Sequence, residues 1–352
     1  MPVWTKASAH DSLKSKLHSR HALAPPKRTA GMTNDTIAQV LYMPESEEHR
    51  FLPEGPTYLA PGKFSWVAIQ HGADGTHGSL NIFDLESGQN QNFELPGRPG
   101  FAKPTDVEGL FLVGAERQLG LFNCHDGSWQ LLNDQIDAEV EGTIVNDGTI
   151  FGSNCVFGTK DLEFKTAKAG LYLYQGESKQ LIQLRSDQVC SNGKDVISSG
   201  DGGCSLIDID SPTKKVVRYP IDVNAGTLGE AELVVDLNDL PAVPDGMTMT
   251  PDEQSIIISF YNPNEAEWGE TRQYSLYNGV HEHTWRTPGS PQATCPLLLP
   301  MSDGSVKLVI TTAVEHMPQE RRAGAPNAGA LFIADTSFQS PPTAGVFPAK
   351  DL

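Results

Sequence analysis

Residues 145–174 read VNDGTIFGSNCVFGTKDLEFKTAKAGLYLY, and this stretch decides the fold. An Asn146-Asp147-Gly148 corner opens a short run rich in β-branched and aromatic residues, Thr149 to Phe151, and a second such run, Leu171 to Tyr174, follows after glycine-punctuated turns. No apolar stripe at helical spacing persists here, so the pattern is strand, turn, strand. The same unit returns in both directions. Strand-type runs stand at Thr36 to Tyr42, Phe64 to Ile69, Leu80 to Asp84, Leu119 to Asn123, Ser205 to Ile209, Ser255 to Phe260, Val306 to Thr311 and Ala330 to Ala334. Polar-glycine corners recur at Pro53-Glu54-Gly55-Pro56, Ser191-Asn192-Gly193 and Pro244-Asp245-Gly246. Intervals of roughly 50 residues between corners are the size of a propeller blade.

The fold class is therefore all-β: a six-bladed β-propeller with a central metal-binding channel. Its blades fall near 52–95, 104–132, 141–184, 190–221, 244–285 and 293–338. The run Thr36 to Tyr42 is left over. Placed beside Ala330 to Ala334 it completes the last blade, closes the ring and protects two sheet edges.

Composition agrees. The 352 residues include 33 glycines and 25 prolines, which suit many short strands and not a helical bundle. Twenty-six basic against 44 acidic side chains give a net charge of -18, which excludes a nucleic-acid partner on electrostatic grounds. No apolar run approaches the roughly 18 residues of a membrane span. Five scattered cysteines, Cys124, Cys155, Cys190, Cys204 and Cys295, form neither a disulfide framework nor a zinc ribbon and fit a reducing compartment. Residues 1–31, with Lys6, Lys14, Lys16, Arg20, Lys27 and Arg28 against the single acid Asp11, read as an N-terminal extension, disordered or targeting. Residues 32–352 form the single propeller, cytoplasmic, or organellar if the extension is a transit peptide.

Polar residues at blade corners converge on the channel although they are distant in sequence. The corners supply carboxylates at Glu54 and Asp245 and amides at Asn146 and Asn192, each immediately or nearly followed by a glycine that permits a tight backbone. An all-oxygen set suits a hard divalent cation such as Ca²⁺, Mg²⁺ or Mn²⁺, whereas zinc sites bring histidine or thiolate. His281-Glu282-His283 has a zinc-compatible spacing but falls late in its blade. No Gly-x-Ser-x-Gly, His-Glu-x-x-His or Gly-x-x-x-x-Gly-Lys motif occurs, which removes serine hydrolase, zinc peptidase and nucleotide hydrolase.

Taken in order, Glu54-Gly55-Pro56, Val145-Asn146-Asp147-Gly148, Phe157-Gly158-Thr159, Ala169-Gly170-Leu171-Tyr172, Ser191-Asn192-Gly193, Pro244-Asp245-Gly246-Met247, Tyr261-Asn262 and Gly329-Ala330-Leu331-Phe332 resemble the senescence marker protein, gluconolactonase and regucalcin family from about Thr36 to Phe338. The resemblance implies that Glu54, Asn192 and Asp245 ligate one divalent cation, calcium favoured over magnesium, manganese or zinc. It further implies that Asn146 binds substrate or a cation-held water. In the loop taken as Lys160 to Lys168, Glu163 is the candidate substrate contact. At Ile144, where sugar-lactone members commonly carry arginine, the lost guanidinium implies a drier wall and a less hydroxylated substrate.

The activity that follows is metal-dependent hydrolysis of a sugar lactone or related cyclic ester, with Asp245 as general base and Asn146 and Asn192 orienting and stabilising the developing oxyanion. The rivals are a phosphotriesterase-like hydrolase on the same cation and a non-enzymatic divalent-ion-binding propeller. The implied partner is a small-molecule lactone.

Overall fold

A computed structural model describes residues 34–198, 202–343 and 345–350. The expectation for residues 1–31 lies outside the described residues. Six sheets, antiparallel but for one added strand in the fifth, follow one another along the chain. Their innermost strands are Pro53–Ala60, Pro99–Pro104, Thr143–Phe151, Ser191–Ser198, Val243–Met249 and Ala293–Pro300. Each begins a run of strands paired to its successor, so one sheet is one blade.

The leftover N-terminal run does close the ring, but as two strands. Gln39–Tyr42 pairs antiparallel with Leu331–Asp335 and completes the sixth blade, as expected. Asn34–Ile37 instead adds in parallel to His281–Pro288 as a fifth strand of the fifth blade. Ala38, buried between them, donates its N–H to Arg286 O at 2.8 Å. The second blade starts earlier than expected, at Pro99, because PGFAKP reads as a turn yet forms the innermost strand. In the fourth blade the outer edge is split: Thr227–Leu228 and Glu232–Asp236 both pair with Lys215–Asp222.

Strand alternation puts one apolar face of each blade against the next, and six buried clusters result, one in each seam. Val67 and Leu80 meet Phe111 in the first seam. Phe101 and Leu112 meet Phe157 in the second, and Val156 and Leu171 meet Leu206 in the third. Ile207 and Ile209 meet Ile256 in the fourth, Ile257 and Trp285 meet Phe332 in the fifth, and Leu331 meets Trp66 in the last. Each fully buried Leu, Ile or Phe side chain contributes about 1.5–3 kcal/mol, so the stabilisation is spread around the ring.

After the sixth blade the chain crosses back to the seam between the second and third. Phe347, fully buried, forms a parallel bridge with Thr105 and packs on the Tyr174 ring. Pro341, Pro342, Thr343 and Gly345 border a cavity of about 120 Å³ lined by later residues of the innermost strands, among them Lys103, Asp147, Lys194 and Asp195. Among the described residues no helix is long and apolar enough to cross a membrane.

Candidate active site

The polar residues singled out at the corners lie inside the innermost strands, not before them. In each blade the register of the innermost strand with its neighbour breaks near its start: after Glu54, Pro99, Val145, Ser191, Pro244 and Ala293. A bulge turns a side chain out of the regular alternation, and here it aims Asn146, Asn192 and Asp245, with Glu54 beside the break, into the channel. The four are between 6% and 9% exposed, and all line one cavity of about 430 Å³. The four side chains expected to converge do share one cavity, but on a local geometry other than the corners expected.

Both carboxyls sit in a setting that disfavours charge. Burial raises the pKa of Glu54 well above its usual value, and the Asp147 charge adds to the rise. Burial likewise raises Asp245, with the Glu54 charge the next cause. The N–H of Gly55 donates to Glu54 Oε2 at 2.6 Å and works in the opposite direction. The two buried carboxyls thus disfavour each other's charged forms.

The amides are oriented to match. Asn192 Nδ2 donates to Ser211 Oγ at 3.1 Å and to Cys190 Sγ at 3.7 Å. Asn146 Nδ2 donates to Ser191 O at 2.9 Å and also to Cys190 Sγ at 3.7 Å. With both nitrogens held by protein, each amide presents its Oδ1 to the chamber. The donor chemistry fits a hard divalent cation. Among the described residues no three His, Cys, Asp or Glu side chains are placed to hold a metal, so a cation here must draw on the amide oxygens. The same orientation leaves neither amide free to donate to an oxyanion, which corrects that part of the sequence reading. Cys190 Sγ accepts from both amides, and burial pushes its thiol pKa well up.

Lys160 was assigned to a loop, but the strand Asn154–Asp161 carries it into the site. Its residue is 7% exposed, and its charge acts to lower the pKa of both Glu54 and Asp245. The loop starts at Leu162 and is tied down by Asp161, which accepts N–H bonds from Thr166, Lys165 and Glu163 and pairs with Lys168 at 3.1 Å. Burial opposes the Asp161 charge, but those donors hold its pKa well below the usual range. Glu163 reaches the cavity rim with its side chain 71% exposed and paired to Lys165 at 3.2 Å. Ile144 is buried and lines an adjoining cavity of about 570 Å³, not the chamber of the four oxygen donors. On the far wall Tyr261 Oη donates to Glu315 O at 2.6 Å and fixes the connection between Val306–Thr312 and Leu331–Asp335 of the sixth blade.

The strand bearing Lys160 is anchored from behind. Thr159 Oγ1 and Tyr172 Oη donate to the two oxygens of the buried Asp137, each at 2.6 Å. Tyr172→Phe is expected to cost about 2 kcal/mol, the loss of a hydrogen bond to a buried carboxylate, and a urea midpoint shift at unchanged slope would measure it.

His281 and His283 do not form a metal pair. His281 Nε2 bonds to His283 O and His283 Nε2 to Thr36 Oγ1, each at 2.9 Å, and the added parallel strand covers their edge.

Comparisons with known proteins come to the same architecture. A family model described as SMP-30/Gluconolactonase/LRE-like region matches residues 52–314. A Bacillus subtilis (strain 168) protein named "Putative sugar lactone lactonase YvrE" is 24% identical over 309 residues, covering 86% of this chain and 98% of that one. The crystal structure of a calcium-binding protein, regucalcin from Agrobacterium tumefaciens, superposes with a TM-score of 0.72 at 21% identity, over 90% of this chain and 100% of its own. A gluconolactonase from Xanthomonas campestris superposes with a TM-score of 0.56 at 13% identity, over 84% and 88% of the two chains.

Proposed function

The chain belongs to the SMP-30/Gluconolactonase/LRE-like family, and from that premise we propose that it hydrolyses a lactone with the help of one divalent cation, calcium favoured, held by Glu54, Asn192 and Asp245. The observation that carries this reading is the convergence of two buried, mutually repelling carboxylates and two amide oxygens from four blades on one cavity. When bound, a divalent cation at these oxygens supplies three things: a polarised ester carbonyl, a more acidic attacking water and neutralisation of the two carboxylates.

The residues then divide the remaining work. Asp245 takes the proton from water as it adds to the carbonyl carbon. It returns the proton to the ring oxygen as the acyl–oxygen bond breaks, which yields an open hydroxy acid. Asn146 Oδ1 accepts a hydrogen bond from the attacking water or a substrate hydroxyl and so orients it. The apolar rim of Leu52, Ile69, Leu162 and Phe164 limits solvent around the reacting carbonyl.

A panel of five- and six-membered aldonolactones, aliphatic lactones and aryl phosphotriesters, given to chelator-treated protein and then to protein re-supplied with Ca²⁺, Mg²⁺, Mn²⁺ or Zn²⁺, tests the reading. Lactone hydrolysis should be lost on chelation and return with one of the ions. Phosphotriester turnover without lactone turnover would overturn the substrate class. Lactone hydrolysis that survives full chelation would overturn the role of the cation.

A further inference from the structure

We propose that Lys160 is the specificity residue of this site: its ammonium binds a carboxylate carried by the substrate, so that acid-bearing lactones are favoured over neutral ones. The proposal rests on the lactonase reading of the channel and adds a substrate class to it. Lys160 lies where two cavities meet, since it lines both the chamber of the oxygen donors and the adjoining cavity of about 570 Å³. A substrate whose ester sits at Glu54 and Asp245 would direct a ring substituent past Lys160 into that second space.

Lys160 is also the buried donor that the protein leaves free. Among the described residues its ammonium makes no ion pair and no hydrogen bond, although the residue is 7% exposed. The amide and phenol donors of the chamber wall are engaged, and the Ser211 hydroxyl accepts from Asn192. The two asparagine amides donate to Ser211, Ser191 and Cys190, and the Tyr261 hydroxyl donates to Glu315 O. His316 lies at the rim with its side chain 79% exposed. A substrate oxygen that needs a charged donor in this largely buried wall therefore has Lys160.

Charge decides what kind of oxygen. Glu54 and Asp245 feel the Lys160 charge, but a divalent cation ligated by both would neutralise them. Lys160, a largely buried residue, would then have no acid at contact distance, and a substrate anion would complete its pairing. Glu315, the remaining acid between the two cavities, lies 3.9 Å from His316 Nε2 and makes no ion pair with Lys160. A substrate carboxylate supplies both the missing charge and a strong charge-assisted hydrogen bond. Cross-strand register adds that Ile144 stands directly opposite Lys160 on the same face. The wall judged dry from Ile144 alone thus carries a cation one strand away.

The test uses cation-loaded protein and a matched pair, a lactone bearing a ring carboxylate and its neutral carboxamide, with calorimetric titration of the open di-acid product as a second readout. Wild type should prefer the acid. Lys160→Met should lower the acid-to-carboxamide ratio of kcat/KM about 30-fold or more, chiefly through KM for the acid. Di-acid affinity should fall in parallel, Lys160→Arg should restore most of it, and cation content should not change. An equal loss on both substrates would place Lys160 in the shared chemistry and overturn the proposal, as would no loss on either. If wild type opened neither lactone, the lactonase reading would fall, and the di-acid titration alone would decide Lys160: retained affinity in Lys160→Met refutes it, a 30-fold loss supports it.

Discussion

Asp245→Asn is expected to lower lactone turnover by about two orders of magnitude or more while making the cation-free protein more stable. The substitution nearly preserves size and can still offer a carbonyl oxygen, so the loss reports the proton acceptor and not a collapsed pocket. The gain has a separate cause. Asp245 is buried, and its carboxyl is pushed far above its ordinary 3.8 by desolvation and by the Glu54 charge. Because the folded state holds this proton more tightly than the unfolded chain, the cation-free protein loses stability as pH rises above 3.8 toward the folded value. A neutral amide escapes that loss, so the variant should be more stable than wild type at neutral pH and match it near pH 3.5. With saturating cation the order reverses, since wild type gains more from binding. Thermal melts with chelator and with Ca²⁺, beside a turnover assay, check all three outcomes. Turnover within a few-fold of wild type at saturating cation would move the base to Glu54.

The ring was legible because its determinants are local and repeated. Period-2 runs such as Ser255–Tyr261 and glycine corners near Asn192 need no tertiary knowledge, and a leftover strand has one economical place to go. What stayed hidden depends on neighbours. Pro99–Pro104 contains two prolines, a glycine and a lysine, and only its place against Leu110–Ala115 and the channel makes it a strand. The division of the N-terminal run at Ala38 is set by the geometry between two blades, which no pattern within residues 34–42 encodes.

The candidate site divides in the same way. Glu54, Asn146, Asn192 and Asp245 could be read as oxygen donors because each stands at a glycine-marked position of a repeated unit. Their orientation could not: it follows from Cys190, Ser191 and Ser211 holding the amide nitrogens. Lys160 was missed because the loop was placed at Lys160 to Lys168, whereas the strand continues through Asp161. The signal that could have found it is alternation, since Val156, Gly158 and Lys160 share one face while Phe157 and Thr159 share the other.

Gly100→Ala is expected to cost about 3 kcal/mol or more and to reduce kcat/KM about 100-fold, although Gly100 bears no functional group and was not singled out from the sequence. It occupies the second blade's equivalent of the bulge positions that carry Asn146, Asn192 and Asp245. A methyl placed there would lie 2.0 Å from Asn146 O and 2.5 Å from Val145 O, both backbone atoms of the next innermost strand. Side chains can swing away from such a contact, whereas two backbones can separate only by opening the seam. That seam also holds the 2.6 Å bond from Val145 N–H to Glu116 O, so the separation would strain a backbone bond as well as the Phe101 and Phe157 packing. Asn146 would move with its strand, and a shift of about 1 Å in a positioning group is enough for a 100-fold loss. Gly324→Ala is the matched control. Its added methyl would come no closer than 3.6 Å to Arg321 O, so stability should change by less than about 0.5 kcal/mol. Urea unfolding of both variants with kcat/KM for the best lactone separates the cases. A Gly100→Ala protein as stable and active as the control would show that the spacing of the innermost strands does not hold Asn146 in place.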